Sequence, residues 1–252
     1  MVGDWRNGSY AEYARWPLEN VHVLDEEKLV MKLGYSVHDL AYLQRLLVPG
    51  GGLMELDVQT GDRVVIAPAT GQFGGAAVEV ALALGADVVI CARKQDVLER
   101  MRTSLAPIYP QARIDTVALS GTVETDVGAL QALGPLDKFI DFSPAAAAGS
   151  THITNVLMSL RHGGRACLMG GITGTISIPY PVVVFNDLTI CGKFMYDREV
   201  VRRVISLVES GRLKFEVPEI EVYGLEEWED GFKSAEENAG WREMAVLRPG
   251  KK

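Results

Sequence analysis

The sequence predicts an α/β protein: a Rossmann-type, doubly wound parallel sheet, with a small remnant of a second, β-rich domain formed by both termini. Three observations predict it. From residue 63 to residue 209, short β-branched apolar runs alternate with helical runs, the pattern of βαβ units around a sheet covered on both faces. A glycine-rich turn joins the first of these strands to the first of these helices. The two ends of the chain lack the alternation.

The first strand is RVVIA, residues 63–67, and a small-residue helix follows over 73–84, stopped by Gly85. DVVIC (87–91) is a second buried strand and 95–104 a charged helix. Strands are expected at 114–119, 136–142, 165–169 and 188–194, with helices at 124–133, 151–160 and 199–209. Before this core, residues 8–33 read as short strand-like pieces broken by Pro17. Ser36 and Asp39 form a capping-box pattern opening a helix over 40–47. After it come a strand-like FEVPEIEVY (215–223), an acidic helix over 226–237 and a last strand over 244–247. The expected division is a barrel remnant at 1–34, a dinucleotide-binding domain at 35–211, and a return to the remnant at 212–252.

A net charge of −8 argues against a phosphate-backbone partner, so no nucleic acid is expected. Cys91, Cys167 and Cys191 lie apart in sequence, each in an apolar run, and read as small core residues. His22, His38, His152 and His162 are scattered without metal-ligand spacing, so no metal is expected. Met1 to Tyr10 holds no apolar stretch of signal-peptide length and no run approaches a membrane span. A cytoplasmic protein is the expectation.

Chemistry enters at Ala69-Thr70-Gly71-Gln72-Phe73-Gly74-Gly75. Between a strand and a helix, this is a G-x-G-x-x-G fingerprint with Ala69 in the first place. Gly71 lets backbone approach a pyrophosphate, and Gly74 lets the helix pack on the sheet. The amides and dipole of the helix start favour phosphate oxygens. The second strand then continues into Ala92-Arg93-Lys94, where an NAD binder usually carries a carboxylate for the ribose. A guanidinium and an ammonium there suit a 2′-phosphate, so the expected cofactor is NADP(H).

GSYAEYARWPLENVH (8–22), VPGGGLMELDVQTGDRVVIAPATGQFGGAAVEVALALGA (48–86), DFSPAAAAGSTHI (141–153), and GGRACLMGG with IPY and CGKFMY (163–196) resemble the medium-chain dehydrogenase/reductase superfamily. The likeness is to its zinc-type alcohol dehydrogenase-like and quinone reductase-like members. It implies that Thr70 to Gly75 hold the pyrophosphate and that Ser143 and Pro144 border the adenosine ribose. Gly170, Gly171 and Ile172 would lie near the nicotinamide, and the segment through Phe194 would approach its carboxamide. In that family the barrel preceding the GSYAEY segment carries the catalytic cysteine, the histidine–glutamate pair and the zinc ligands. None of these is matched here, which implies zinc-independent chemistry.

Tyr196 is the leading candidate proton donor, with Lys193 and Tyr180 behind it. Trp5, Tyr10 and Tyr13, together with Tyr180, are the candidates for the substrate side. Family members pair edge strands near Ile176-Ser177-Ile178, so the resemblance implies a homodimer. Three functions stay open: an NADPH-dependent reductase of a carbonyl or activated alkene in a bulky small molecule; a redox-neutral isomerase or cyclase; and a non-catalytic NADP(H)-binding remnant.

Overall fold

The computed structural model describes residues 8–216 and 219–250. Past an irregular start, a capping box at Ser36 and Asp39 opens a short helix α1 (Val37–Leu40), and α2 (Leu43–Glu55) follows. The central series is then β1 (Arg63–Ala67), α3 (Gln72–Ala83), β2 (Asp87–Ala92), α4 (Gln95–Leu105), β3 (Ile114–Ala118), α5 (Val123–Gln131) and β4 (Lys138–Asp141). It continues through α6 (His152–Leu157), β5 (Arg165–Leu168), α7 (Tyr180–Phe185), β6 (Thr189–Gly192) and α8 (Arg198–Glu209). The C-terminal unit is β7 (Glu219–Gly224), α9 (Trp228–Glu237) and β8 (Glu243–Arg248).

Strands β1 to β6 form one parallel sheet in the order β3-β2-β1-β4-β5-β6. Successive residues of β1 show how it is covered. Val64 and Ile66 join one buried cluster with α2, α3, α4 and α8, while Val65 and Ala67 join a second with α5 and α6. Side chains of a strand point alternately to opposite faces, so unbroken apolar runs are what a sheet buried on both sides requires. The chain reverses its direction of winding between β1 and β4, which opens a crevice at their carboxyl ends.

Several expectations about elements are corrected. Helix α2 runs to Glu55, well past the expected end at Leu47, straight through Pro49 and Gly50 to Gly52. Each such residue disfavours a helix in isolation. Packing overrides that preference: a Cβ on Gly52 would come within 2.7 Å of Ile140 Cδ1, and one on Gly51 would overlap the Met195 carbonyl oxygen and sit 3.2 Å from Tyr196 Cα. The glycines let α2 lie against the sheet and the segment after β6. Residues 8–33 contain no strand among the described residues. They form a 3-10 turn, Leu18–Asn20, and a π-helical turn, Glu27–Lys32, whose Leu29 is buried and whose Lys28 pairs with Asp25. Residues 176–178 form no strand either. Ser177 oxygen accepts from Thr154 Oγ1 at 2.9 Å, and Ile176 packs on the second core cluster.

The second sheet comes from the C-terminal side alone. β7 and β8 are parallel, Glu219 facing Glu243 through to Gly224 facing Arg248, with α9 as their crossover. The N-terminal segment leans on this unit: Tyr10 meets Phe232 of α9 edge to face, ring centres 5.6 Å apart. Two strands are marginal by themselves. Ile220, Met244 and Val246 dock on the first core cluster and tie the unit down.

Cys167 and Cys191, 24 positions apart in sequence (191 − 167), face each other across β5 and β6. Burial pushes the Cys167 thiol up to about 12, and it raises the thiol of Cys91 and the phenols of Tyr42 and Tyr109. Such groups keep their protons in the folded chain when the unfolded chain has lost them. Stability therefore falls as pH rises above the unfolded thiol value of about 8.5. The urea midpoint should drop on the alkaline side, and less steeply in a Cys91→Ala/Cys167→Ala double variant; an unchanged slope contradicts this. Independently, Gly51→Ala should destabilise the chain by about 1–3 kcal/mol in urea unfolding, since its new methyl meets backbone that cannot step aside.

Candidate functional site

The parallel sheet brings the carboxyl ends of β1, β2, β4, β5 and β6 to one edge, and the expected cofactor residues follow these ends. After β1 the chain passes through a cis Ala67–Pro68 peptide into the glycine loop. Ala69 is buried and its amide donates to Cys91 oxygen at 2.8 Å, which ties the loop to the end of β2. Helix α3 begins with Gly71 as its N-cap, and its first backbone bond runs from Gly75 N to Gly71 O at 2.8 Å. The amides of Gln72, Phe73 and Gly74 precede that bond, at the positive end of the helix.

Gly71 and Gly74 are glycines for different reasons. A Cβ at Gly74 would overlap the Pro68 carbonyl oxygen and lie 3.0 Å from Ala69 Cα, so the start of α3 fits on the end of β1 only without a side chain. At Gly71, φ is −83° and nothing lies within 4 Å of an added Cβ. Neither the turn nor the packing of this chain requires glycine there; the Cβ direction is open.

Arg93 and Lys94 follow β2, both exposed, and Lys94 is the N-cap of α4. Neither side chain forms an ion pair among the described residues. After β4, Ser143 is buried and Pro144 exposed. The Ser143 hydroxyl donates to Asp141 Oδ1 and stands 2.7 Å from His152 Nε2; Ser150 Oγ lies 2.8 Å from the other ring nitrogen. With Nε2 carrying the ring proton, every contact has one donor and one acceptor. After β5, Gly171 N donates to Ser143 O at 2.6 Å, and a Cβ on Gly170 would stand 2.5 Å from Asp141 Oδ2. The Gly170-Gly171 turn is thereby pressed on the end of β4, and Ile172 packs on the second cluster.

The catalytic and substrate-side candidates are less gathered. Lys193 Nζ pairs with Glu55 Oε2 at 3.2 Å, and half-buried Tyr196 packs on the first core cluster. Phe194, between them, is 92% exposed. Tyr180 starts α7 and is exposed, as are Tyr13 and Tyr10. Trp5 lies outside the described residues.

One cluster escaped the sequence reading. Glu79, on α3, is fully buried; it accepts from Tyr42 Oη at 2.8 Å and pairs with Arg242 Nε at 2.7 Å. Burial pushes its carboxyl above the usual carboxylate range, against the pull of Arg242 and Tyr42. The available signal was a lone acid in the apolar run AAVEVALAL. Its partners, 37 and 163 residues away, could not be read from spacing.

No family model matches the chain, and no curated protein sequence matches it. Solved structures do. One described as an NAD-dependent alcohol dehydrogenase is 25% identical, with a TM-score of 0.70 over 96% of this chain and 66% of its own. AibC matches at 19% identity and TM-score 0.67, covering 84% of this chain and 56% of its own. A short chain alcohol dehydrogenase (rspB) from E. coli CFT073, complexed with NADH, matches at 15% and 0.69, covering 92% and 63%. The chain thus spans between 56% and 66% of the length of these three structures. Its six-stranded parallel sheet is the Rossmann-like fold of dehydrogenases. No helix among the described residues is long and apolar enough to cross a membrane.

The two loop glycines separate in a stability measurement. Gly74→Ala should lose about 1–3 kcal/mol by urea unfolding. Gly71→Ala should stay within about 1 kcal/mol of the parent, the scale of an N-cap change. Equal losses at both positions contradict the assignment of their roles.

Proposed function

We propose that the chain is an NADPH-dependent, zinc-independent oxidoreductase acting on a carbonyl or activated alkene in a bulky small molecule. The carrying observation is the open Cβ direction at Gly71, a glycine that this chain's own packing does not require, at the start of a helix whose first amides point into the loop. Arg93 and Lys94, exposed at the end of β2, supply paired positive charge for a 2′-phosphate. One similar structure is an NAD-dependent alcohol dehydrogenase and another is complexed with NADH; the basic pair favours NADPH here. Thr70 to Gly75 would hold the diphosphate, Ser143 and Pro144 would border a ribose, and Gly170, Gly171, Ile172 and Phe194 would flank the nicotinamide. The bound cofactor supplies a hydride. Tyr196, just after β6, is the phenol assigned to returning a proton in this reading, while Lys193 is held by Glu55. Tyr10, Tyr13 and Tyr180 offer aromatic surface to a substrate, and exposed apolar side chains such as Phe194 suit a largely apolar one.

A homodimer belongs to the same reading. β6 is an edge strand of the sheet, flanked by exposed Ile178, Val184 and Phe185, and a second copy would cover both. Light scattering at micromolar concentration should give twice the chain mass; a monomer mass refutes it. The protein is expected in the cytoplasm.

Fluorescence titration should show NADPH binding more tightly than NADH. Arg93→Ala should lose roughly tenfold for NADPH and little for NADH, and Gly71→Ala should weaken both. Equal affinities for the two cofactors defeat the assignment. With a panel of enones and quinones and 4-deuterated NADPH, deuterium should appear in the product. Product formed without cofactor consumption would overturn the reductase and favour a redox-neutral catalyst.

A further inference from the structure

The C-terminal segment between α9 and β8 lies along the glycine loop and the first turns of α3. Gly240 pairs with Gly71 in an isolated antiparallel bridge, and Trp241 N donates to Thr70 O at 3.2 Å. The Trp241 ring fills the space beside Gly75, where an added Cβ would come within 2.6 Å of its Cγ. One helical turn further, the Arg242 guanidinium reaches buried Glu79, and it also stacks over the Trp241 ring at 4.4 Å. Residues 75 and 79 share a face of the helix, so both side chains grip the same side of α3. Arg242 has a left-handed backbone, φ 62°, which a non-glycine residue keeps when its surroundings fix it. Tyr42, the N-cap of α2, donates to the same carboxylate.

This arrangement reaches further than holding a tail in place. The bridge takes the carbonyl of Thr70 and leaves the open direction at Gly71 untouched. A buried ion pair is a weak source of stability but fixes register strictly, because each displaced partner leaves a charge without its match. We propose that residues 240–242 are a clasp on the glycine loop, with Trp241 and Arg242, anchored on Glu79, acting as positioning residues for the cofactor's diphosphate. Trp241 touches the loop, and Arg242 supports it through the Trp241 ring and Glu79. They act by holding its amides in the one arrangement that meets phosphate oxygens, so affinity is not reduced by ordering the loop on binding. The proposal rests on the nucleotide-binding reading given above.

The test compares the parent chain with Arg242→Met, Arg242→Lys and Glu79→Gln. Two ligands are titrated: NADPH, which carries the diphosphate, and adenosine 2′-monophosphate, which does not. Hydrogen exchange is followed at residues 70–75 and in β1 and β4 of the ligand-free protein. Arg242→Met should raise the NADPH dissociation constant about tenfold, as the fraction of loops held ready falls by that factor, and leave adenosine 2′-monophosphate unaffected. Exchange across 70–75 should quicken more than in β1 and β4, and Arg242→Lys should restore most of both effects. If both ligands weaken together, or the strands open as much as the loop, the role is structural only and the proposal falls. It falls equally if neither ligand nor loop responds. Should Arg242→Met not fold, Glu79→Gln carries the same measurement, since it keeps the shape of the side chain and one acceptor oxygen while removing the charge that holds Arg242. If the parent binds no NADPH, the functional reading fails, while the exchange comparison still decides whether the clasp holds the loop.

Discussion

Helix α3 starts almost on top of the strand that feeds it, and this closeness is possible because Gly74 has no side chain to set against the Pro68 carbonyl. Much else follows from that approach. It aims the first turn of α3 at the carboxyl edge of the sheet, where the chain's reversal of winding between β1 and β4 leaves a crevice. It brings the loop within reach of the end of β2, to which Ala69 is bonded, and so beside Arg93 and Lys94. The same economy recurs after β5, where Gly170 presses against Asp141 and Ser143. The edge is assembled from backbone held at short range, and glycine is the residue that permits it.

Several polar groups buried next to this edge are paired with one another in small sets. Asp141, Ser143, His152 and Ser150 pair with one another beside the ends of β4 and β5. Glu79, Tyr42 and Arg242 do the same on the other side of α3. Burying a carboxylate without partners would be costly, so each set forces distant segments into one fixed arrangement.

The central alternation was legible because local preference and burial agree there. A run such as VVIA or DVVIC is both a good strand former and apolar on each face, and a parallel sheet asks for both. The loop was legible for a related reason, since its glycines sit between a strand and a helix. Legibility failed where packing overruled local preference. The helix expected over 40–47 continues as α2 through Pro49 and Gly50 to Gly52, against their local preference, because its neighbours leave room only for glycine. It also failed where the deciding partner is remote. Glu79 passed unnoticed inside an apolar run because its partners are distant, and nothing near Gly240 pointed to Gly71. The cysteines read as isolated, but Cys167 and Cys191 become neighbours when β6 is laid beside β5.

The span between Glu79 and Arg242 has a consequence for the order in which the molecule can be completed. The strands and helices around β1 come off the ribosome early, and helix α3 packs with segments already made. The arginine that matches its buried acid arrives 163 residues later, with the C-terminal unit. Until that arginine is made, Tyr42 is the partner available to the Glu79 carboxyl, whose burial favours the protonated form. The contacts of Gly240 and Trp241 to the glycine loop likewise wait on the C-terminal unit, so a loop made among the first elements is fastened by one of the last.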